Sequence, residues 1–214
     1  DRDSIITRLG VDTDFYRKTI NPGLINKYSD NFILLHNTDF SPAKRTVFLL
    51  DAVERIYPLV KNVKLLITCS VNDDDKINAL SKEINRRGIS EQIDILGFVN
   101  HDLLPDVYSL ADLVAYPGTS NGAGSSAVSL FVLEAMACGT PAIRSNDSKT
   151  EVLDKINGEL FNPLDLDEFC EKFISLVNNK NIVELYSLRC RDYIKKNYSW
   201  KGTSKIIFES ISGK

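Results

Sequence analysis

The sequence predicts an α/β fold, a parallel β-sheet flanked by helices on both faces, and three observations predict it. Short continuous apolar runs, such as VKLLITC from Val63 to Cys69, suit strands buried on both faces. Charged or amphipathic stretches, such as Asn72 to Arg87, separate those runs. The two kinds of segment alternate along the chain, as parallel strands joined by helical crossovers require.

Taken in order, Asn31 to His36 is the first strand, and the turn from Thr38 to Arg45 carries Ser41-Pro42 into a following helix. Val63 to Cys69 is a buried strand and Asn72 to Arg87 its charged helix. Ile93 to Asn100 is the next strand with its turn, His101 to Leu110 a short helix, and Ala111 to Tyr116 a strand. A Gly/Ser loop follows, then a helix expected to begin near Ser126 and a strand that runs to Ile143. Ser145 to Val152 reads as a loop and short helix, and Asn157 to Pro163 as a strand and turn. Asp165 to Val177 and Ile182 to Asn197 are two amphipathic helices, and Tyr198-Ser199-Trp200 opens the last one.

The stretch YPGTSNGAGSSAVSLFVLEAMACGTPAIRSN, Tyr116 to Asn146, carries the chemistry. Gly118, Gly122 and Gly124 let backbone N–H groups turn toward an anion, and a helix N-terminus behind them adds the positive end of its dipole. Glu134 lies on that helix among Leu133, Ala135, Met136 and Ala137, and a carboxylate in such apolar company needs a partner. Lys44 and Arg45 place two cations after the first strand.

The run L-E-A-M-A-C-G-T-P-A-I, Leu133 to Ile143, resembles the donor-binding helix and following strand of the GT-B glycosyltransferases of group 1, family 4. Further segments fit in the same order: Arg8 to Tyr16 resembles I-x-N-G-V-D-x-x-x-F, Thr38 to Arg45 resembles G-R-L-S-P-E-K-G, Ile93 to Asn100 resembles V-x-F-L-G-x-V, and Asn157 to Pro163 resembles N-G-x-L-x-x-P. The resemblance implies a Rossmann-like domain, one half of a GT-B fold, that binds a nucleotide-diphosphate sugar, UDP- or GDP-linked, for transfer with retention to a hydroxyl. It implies that Glu134 binds the ribose, that Val99 and Asn100 meet the base by backbone, and that Lys44 contacts the diphosphate. Gly122, Ala123, Gly124, Ser125, Ser126 and Ala127 then wrap phosphates and sugar. Asp39, Ser126 and His36 are expected near the donor sugar.

Two positions depart from the family pattern. The first glutamate of E-x7-E is replaced by Ser126, which can cap a helix but cannot make bidentate charge-assisted bonds. Asp39 stands where the family carries an arginine, with Arg45 as the compensating cation.

The 214 residues suffice for one core, and 1–214 is expected to be the C-terminal half of a longer enzyme. An absent N-terminal domain would bring the glycan, lipid or protein acceptor, the catalytic base and any peripheral membrane contact. A net charge of −3 and no basic stripe argue against nucleic acid as a partner. No apolar run approaches a transmembrane length, and a cytoplasmic location is expected. Cys69, Cys138, Cys170 and Cys190 lack C-x-x-C spacing and read as free thiols, buried for Cys69 and Cys138; no metal or other cofactor is expected. His36 and His101 are the only histidines, and each reads first as structural or solvent-facing.

Two other readings remain. Gly122 to Ala127 satisfies G-x-G-x-x-A, with Asp147 at about the distance of a ribose-binding acid, which suggests NAD; Pro117 to Asn121 separates those glycines from the strand end, against that reading. Asp39 and Ser126 together suggest a noncatalytic module that keeps the fold and has lost the clamp.

Overall fold

The computed structural model of the protein describes residues 9–119, 128–146 and 151–212. Among these, six strands form one parallel sheet: β1 (Phe32–Thr38), β2 (Val63–Cys69), β3 (Ile93–Phe98), β4 (Leu113–Tyr116), β5 (Ala142–Ser145) and β6 (Gly158–Phe161). Their spatial order is β3-β2-β1-β4-β5-β6, the doubly wound order of a Rossmann-like sheet. The helices are α1 (Pro22–Lys27), α2 (Thr46–Ile56), α3 (Asp74–Arg87), α4 (Leu104–Leu110), α5 (Leu130–Ala137), α6 (Leu166–Asn178), α7 (Lys180–Asn197) and α8 (Trp200–Ser212).

The alternation of side chains along each strand divides the core in two. Phe32 and Leu34 of β1, Leu65 and Ile67 of β2, Leu113 and Ala115 of β4 and Ile143 of β5 pack with α2 and α6. Ile33 and Leu35, Leu66, Val114 and Ala142 point the other way, toward α4, α5 and α7. Each fully buried aliphatic side chain contributes roughly 1.5–3 kcal/mol, so both faces are strongly specified and a one-residue slip is disallowed.

Local chemistry sets the helix ends. Asp73 and Asp165 accept the Lys76 and Glu168 amides at 3.1 and 2.8 Å, and Gly88, at φ 70°, closes α3 in the left-handed conformation. The N-terminal segment is held against the last helix: Val11 N–H donates to the Tyr198 carbonyl at 2.7 Å and Trp200 N–H to that of Val11 at 3.1 Å. Trp200 stays half exposed with its ring against Gly10, where any Cβ would come within 2.9 Å of the indole. The short helix expected within Ser145 to Val152 is not seen at the described residues of that stretch, and 147–150, with Asp147, lie outside them. All four cysteines are buried and free. No helix among the described residues is long and apolar enough to cross a membrane.

Candidate donor-binding site

In a doubly wound sheet the chain leaves in opposite directions on either side of the point where strand order reverses, opening a crevice at the carboxyl ends of the two strands there. Here those strands are β1 and β4. A cavity of about 600 Å³ lies at that point, lined by Lys44 from the turn after β1, Tyr116 from β4, Ser129 just before α5, Glu134 from α5, Tyr108 from α4, and Val99 and His101 from the turn after β3.

The turn after β1 is built by a short 3-10 segment, Pro42–Lys44, followed by Arg45 in the left-handed region at φ 51°. Lys44 Nζ faces the cavity, 5.6 Å from the centroid of the Tyr116 ring and 4.0 Å from Asp39 Oδ2. Burial raises the Asp39 carboxyl, but the Ser41 hydroxyl and amide and the Lys44 ammonium outweigh it and hold the group below the usual range. Asp39 is therefore an anion beside the cavity's lysine. The turn after β4 closes on the turn after β1: Thr119 N–H donates to the Ala43 carbonyl at 3.3 Å, and a Cβ on Gly118 would meet that oxygen at 2.9 Å. Glycine is needed at 118 for this close approach, since its φ is not positive.

Glu134 is partly buried on the inner face of α5. Its Oε2 accepts the Tyr108 hydroxyl at 2.8 Å, and the Tyr16 hydroxyl is within hydrogen-bonding reach of the same carboxylate. Burial raises the Glu134 carboxyl above its ordinary range, and the two hydroxyls oppose that rise. The buried polar partner that the sequence demands is thus a pair of tyrosines, with room left for a ligand in the cavity. Beneath, Arg144 and Glu151 form a fully buried ion pair at 2.7 Å; the guanidinium lies 4.9 Å from the Tyr116 centroid, and Glu151 also takes the backbone N–H of Ser129, which precedes α5.

The model of the family described as glycosyl transferases group 1 matches residues 31–179. The chain belongs to that family. It is 24% identical over 177 residues to a GDP-mannose-dependent alpha-(1-6)-phosphatidylinositol monomannoside mannosyltransferase of Mycolicibacterium smegmatis, covering 81% of this chain and 46% of the relative. It superposes on Anabaena HepE, solved in complex with UDP, with a TM-score of 0.79 at 22% identity, covering 96% of this chain and 56% of that one. It superposes on the C-terminal domain of LpcC, a group 1 family protein from Francisella tularensis, with a TM-score of 0.72 at 20% identity, over 89% of this chain and all of that one. The chain spans about half the length of the curated relatives it matches.

Against the group 1 pattern, the structure brings Lys44, Val99 and Glu134 to one cavity. Asn100 is exposed at the start of the 3-10 turn His101–Leu103, its carbonyl accepting from Leu103 N–H at 2.9 Å. Gly122, Ala123, Gly124, Ser125, Ser126 and Ala127 lie outside the described residues. Three expectations need correction. The helix begins at Leu130, not near Ser126, with Ser129 in the preceding extended position. Arg45 does not offset Asp39: its left-handed backbone turns the side chain away, over the Phe48 ring at 4.6 Å and onto the Pro163 carbonyl. His36 does not face the sugar, because Phe32, Leu34 and His36 share one face of β1 and that face is core. Its Nδ1 donates to the Ala115 carbonyl at 3.2 Å, and Nε2 lies 3.1 Å from the Thr46 hydroxyl, itself 2.8 Å from that of Thr38.

Full burial pushes the His36 imidazole down to about 4. The unfolded chain therefore takes up this proton first as pH falls, and stability is lost from about pH 6.5 downward until the folded imidazole also protonates. Between pH 7 and pH 5 this one group should remove about 2 kcal/mol. In His36→Gln, denaturant unfolding at the two pH values should show a pH-dependent loss smaller by about that amount; equal losses in both proteins would place the histidine in a wetter site.

Tyr108 and Arg144 carry no local sequence signal, and the motifs that contain Tyr16 and Glu151 do not say what those side chains touch. Tyr108 meets Glu134 across 26 positions and Tyr16 meets His101 across 85, so only the fold joins them.

Proposed function

We propose that this chain is the nucleotide-sugar-binding domain of a glycosyltransferase that moves a hexose from a nucleoside diphosphate to a hydroxyl acceptor with retention. The observation that carries this reading is the shared cavity of Lys44, Glu134 and the N-terminal end of α5 at the strand-order reversal, in a chain of the group 1 family. A carboxylate with two free lone-pair directions suits a ribose diol, and an ammonium beside a helix N-terminus suits a diphosphate. As the sugar–phosphate bond breaks, negative charge grows on the leaving diphosphate, and in this reading Lys44 and the α5 amides are the groups that stabilise it. Val99 and Asn100 close the base end. The binding of UDP by Anabaena HepE and the GDP-mannose dependence of the mycobacterial relative support a nucleoside diphosphate donor. We assign the acceptor site and catalytic base to a further domain of the protein.

Calorimetric titration with UDP, GDP, UDP-glucose, GDP-mannose and NAD tests this. Saturable binding of one nucleoside diphosphate family is expected, weakened in Lys44→Ala for the diphosphate and little changed for the bare nucleoside. Asp39→Asn should tighten diphosphate binding about two- to fivefold by freeing Lys44. A degenerate module, the reading that the Asp39–Lys44 contact favours, would instead bind none of the five in either protein.

A further inference from the structure

Two neighbours compete for the Lys44 ammonium. Asp39 Oδ2 is 4.0 Å away, too far for a hydrogen bond but near enough to attract, and Nζ also lies over the Tyr116 ring, 5.6 Å from its centroid. Lys44 and Tyr116 line the donor cavity, and Asp39 stands outside that lining. An ammonium drawn onto Asp39 is neutralised there. One held over the ring keeps its three N–H donors for a ligand.

The ring itself is fixed from β5. Arg144 lies over it at 4.9 Å and is paired with Glu151 at 2.7 Å, both fully buried, so the ring has a pinned and charge-neutral neighbour. Gly118 packs against both the ring and the residue before Lys44: a Cβ there would meet the Tyr116 Cζ and the Ala43 carbonyl oxygen, each at 2.9 Å. The Gly118 carbonyl accepts in turn from the Ser145 hydroxyl. The ends of β1, β4 and β5 thus register the ring and the lysine's turn as one packed unit.

We propose that Tyr116 is a positioning residue for the donor diphosphate: its ring holds the Lys44 ammonium in the cavity against the pull of Asp39. This rests on the donor-site reading above. Attraction between an ammonium and an aromatic ring at a partly exposed site is worth about two- to fivefold in an equilibrium. A partly exposed carboxylate at 4.0 Å exerts a pull of similar size, so the ring can decide where the charge sits. The chain thereby keeps a ligand-facing lysine although a carboxylate stands where the group 1 pattern has an arginine.

The quantity to measure is the preference for a nucleoside diphosphate over its bare nucleoside, by calorimetry with UDP and uridine and with GDP and guanosine. Tyr116→Leu should lower that preference about two- to fivefold and leave nucleoside affinity as it is. Tyr116→Phe, which keeps the ring, should retain the preference. In an Asp39→Asn background Tyr116→Leu should cost clearly less, because no carboxylate is left to draw the ammonium away. An unchanged preference in Tyr116→Leu would overturn the proposal, as would equal weakening of diphosphate and nucleoside, which marks a damaged cavity. So would a Phe variant as weak as the Leu variant, or an equal cost in both backgrounds. A second readout needs no ligand. In proton NMR the ring should shift the Lys44 ε-methylene upfield in the natural protein and in Tyr116→Phe, and the shift should be lost in Tyr116→Leu. An unshifted Lys44 in the natural protein would overturn the positioning role. If the shift is present but neither diphosphate binds, the donor-site reading fails and the role toward a diphosphate falls with it, while the hold of Tyr116 on Lys44 stands.

Discussion

Glu151→Ala is expected to destabilise the protein by about 3 to 5 kcal/mol, the largest effect of any single substitution proposed for it. Arg144 and Glu151 are almost wholly buried, 1% and 0% exposed, and face each other at 2.7 Å. Removing the carboxylate leaves a guanidinium in the interior with the Ser145 carbonyl at 3.3 Å and the Tyr116 ring as its polar company. It cannot shed its charge by deprotonating. The same change removes the acceptor of the Ser129 N–H, so the entry to α5 loosens as well. Replacing both partners by methionine removes the stranded charge with the bond, and the double variant should recover much of the loss. Denaturant unfolding of the two singles and the double reads this directly; a double variant as unstable as the sum of the singles would show that packing, not charge, holds this corner.

Glu134→Ala should weaken nucleoside diphosphate binding by about 10- to 100-fold, the loss of a charge-assisted hydrogen bond worth roughly 1.5 to 3 kcal/mol. The truncation also takes the acceptor from Tyr108, whose hydroxyl donates to Oε2 at 2.8 Å. Tyr108→Phe separates the two effects, since it keeps the carboxylate and removes one of its anchors. It should cost less than Glu134→Ala and leave the preference between UDP and GDP as it is. Because burial raises the Glu134 carboxyl, affinity should fall on acidification sooner than for an ordinary glutamate, the ionised form being the ribose acceptor. Undiminished affinity in Glu134→Ala would remove the ribose assignment.

Much of the fold was legible because its strands are buried on both faces. Runs such as VKLLITC have no polar alternation to blur them, and β2 falls where its sequence places it. The charged helix ending at Arg87 and the two amphipathic helices before Tyr198 were equally plain. The start of α5 was less so. Ser125, Ser126 and Ser129 are all competent caps, and the helix begins only at Leu130, where the apolar run begins. His36 was decipherable from parity alone, two residues beyond Leu34 on the same face. Arg45 was not, because its direction follows from a left-handed backbone that nothing in Lys44-Arg45-Thr46 announces. Of the site, Lys44 and Glu134 were found through motif; the tyrosines that hold Glu134 come from distant segments and needed the fold.

The most direct test of the donor-site assignment is a crystal structure of the protein with the nucleoside diphosphate that it binds most tightly. The ribose hydroxyls should lie within hydrogen-bonding distance of Glu134 and the diphosphate between Lys44 and the first turn of α5. A nucleotide seated elsewhere, or one whose ribose turns away from Glu134, would contradict it.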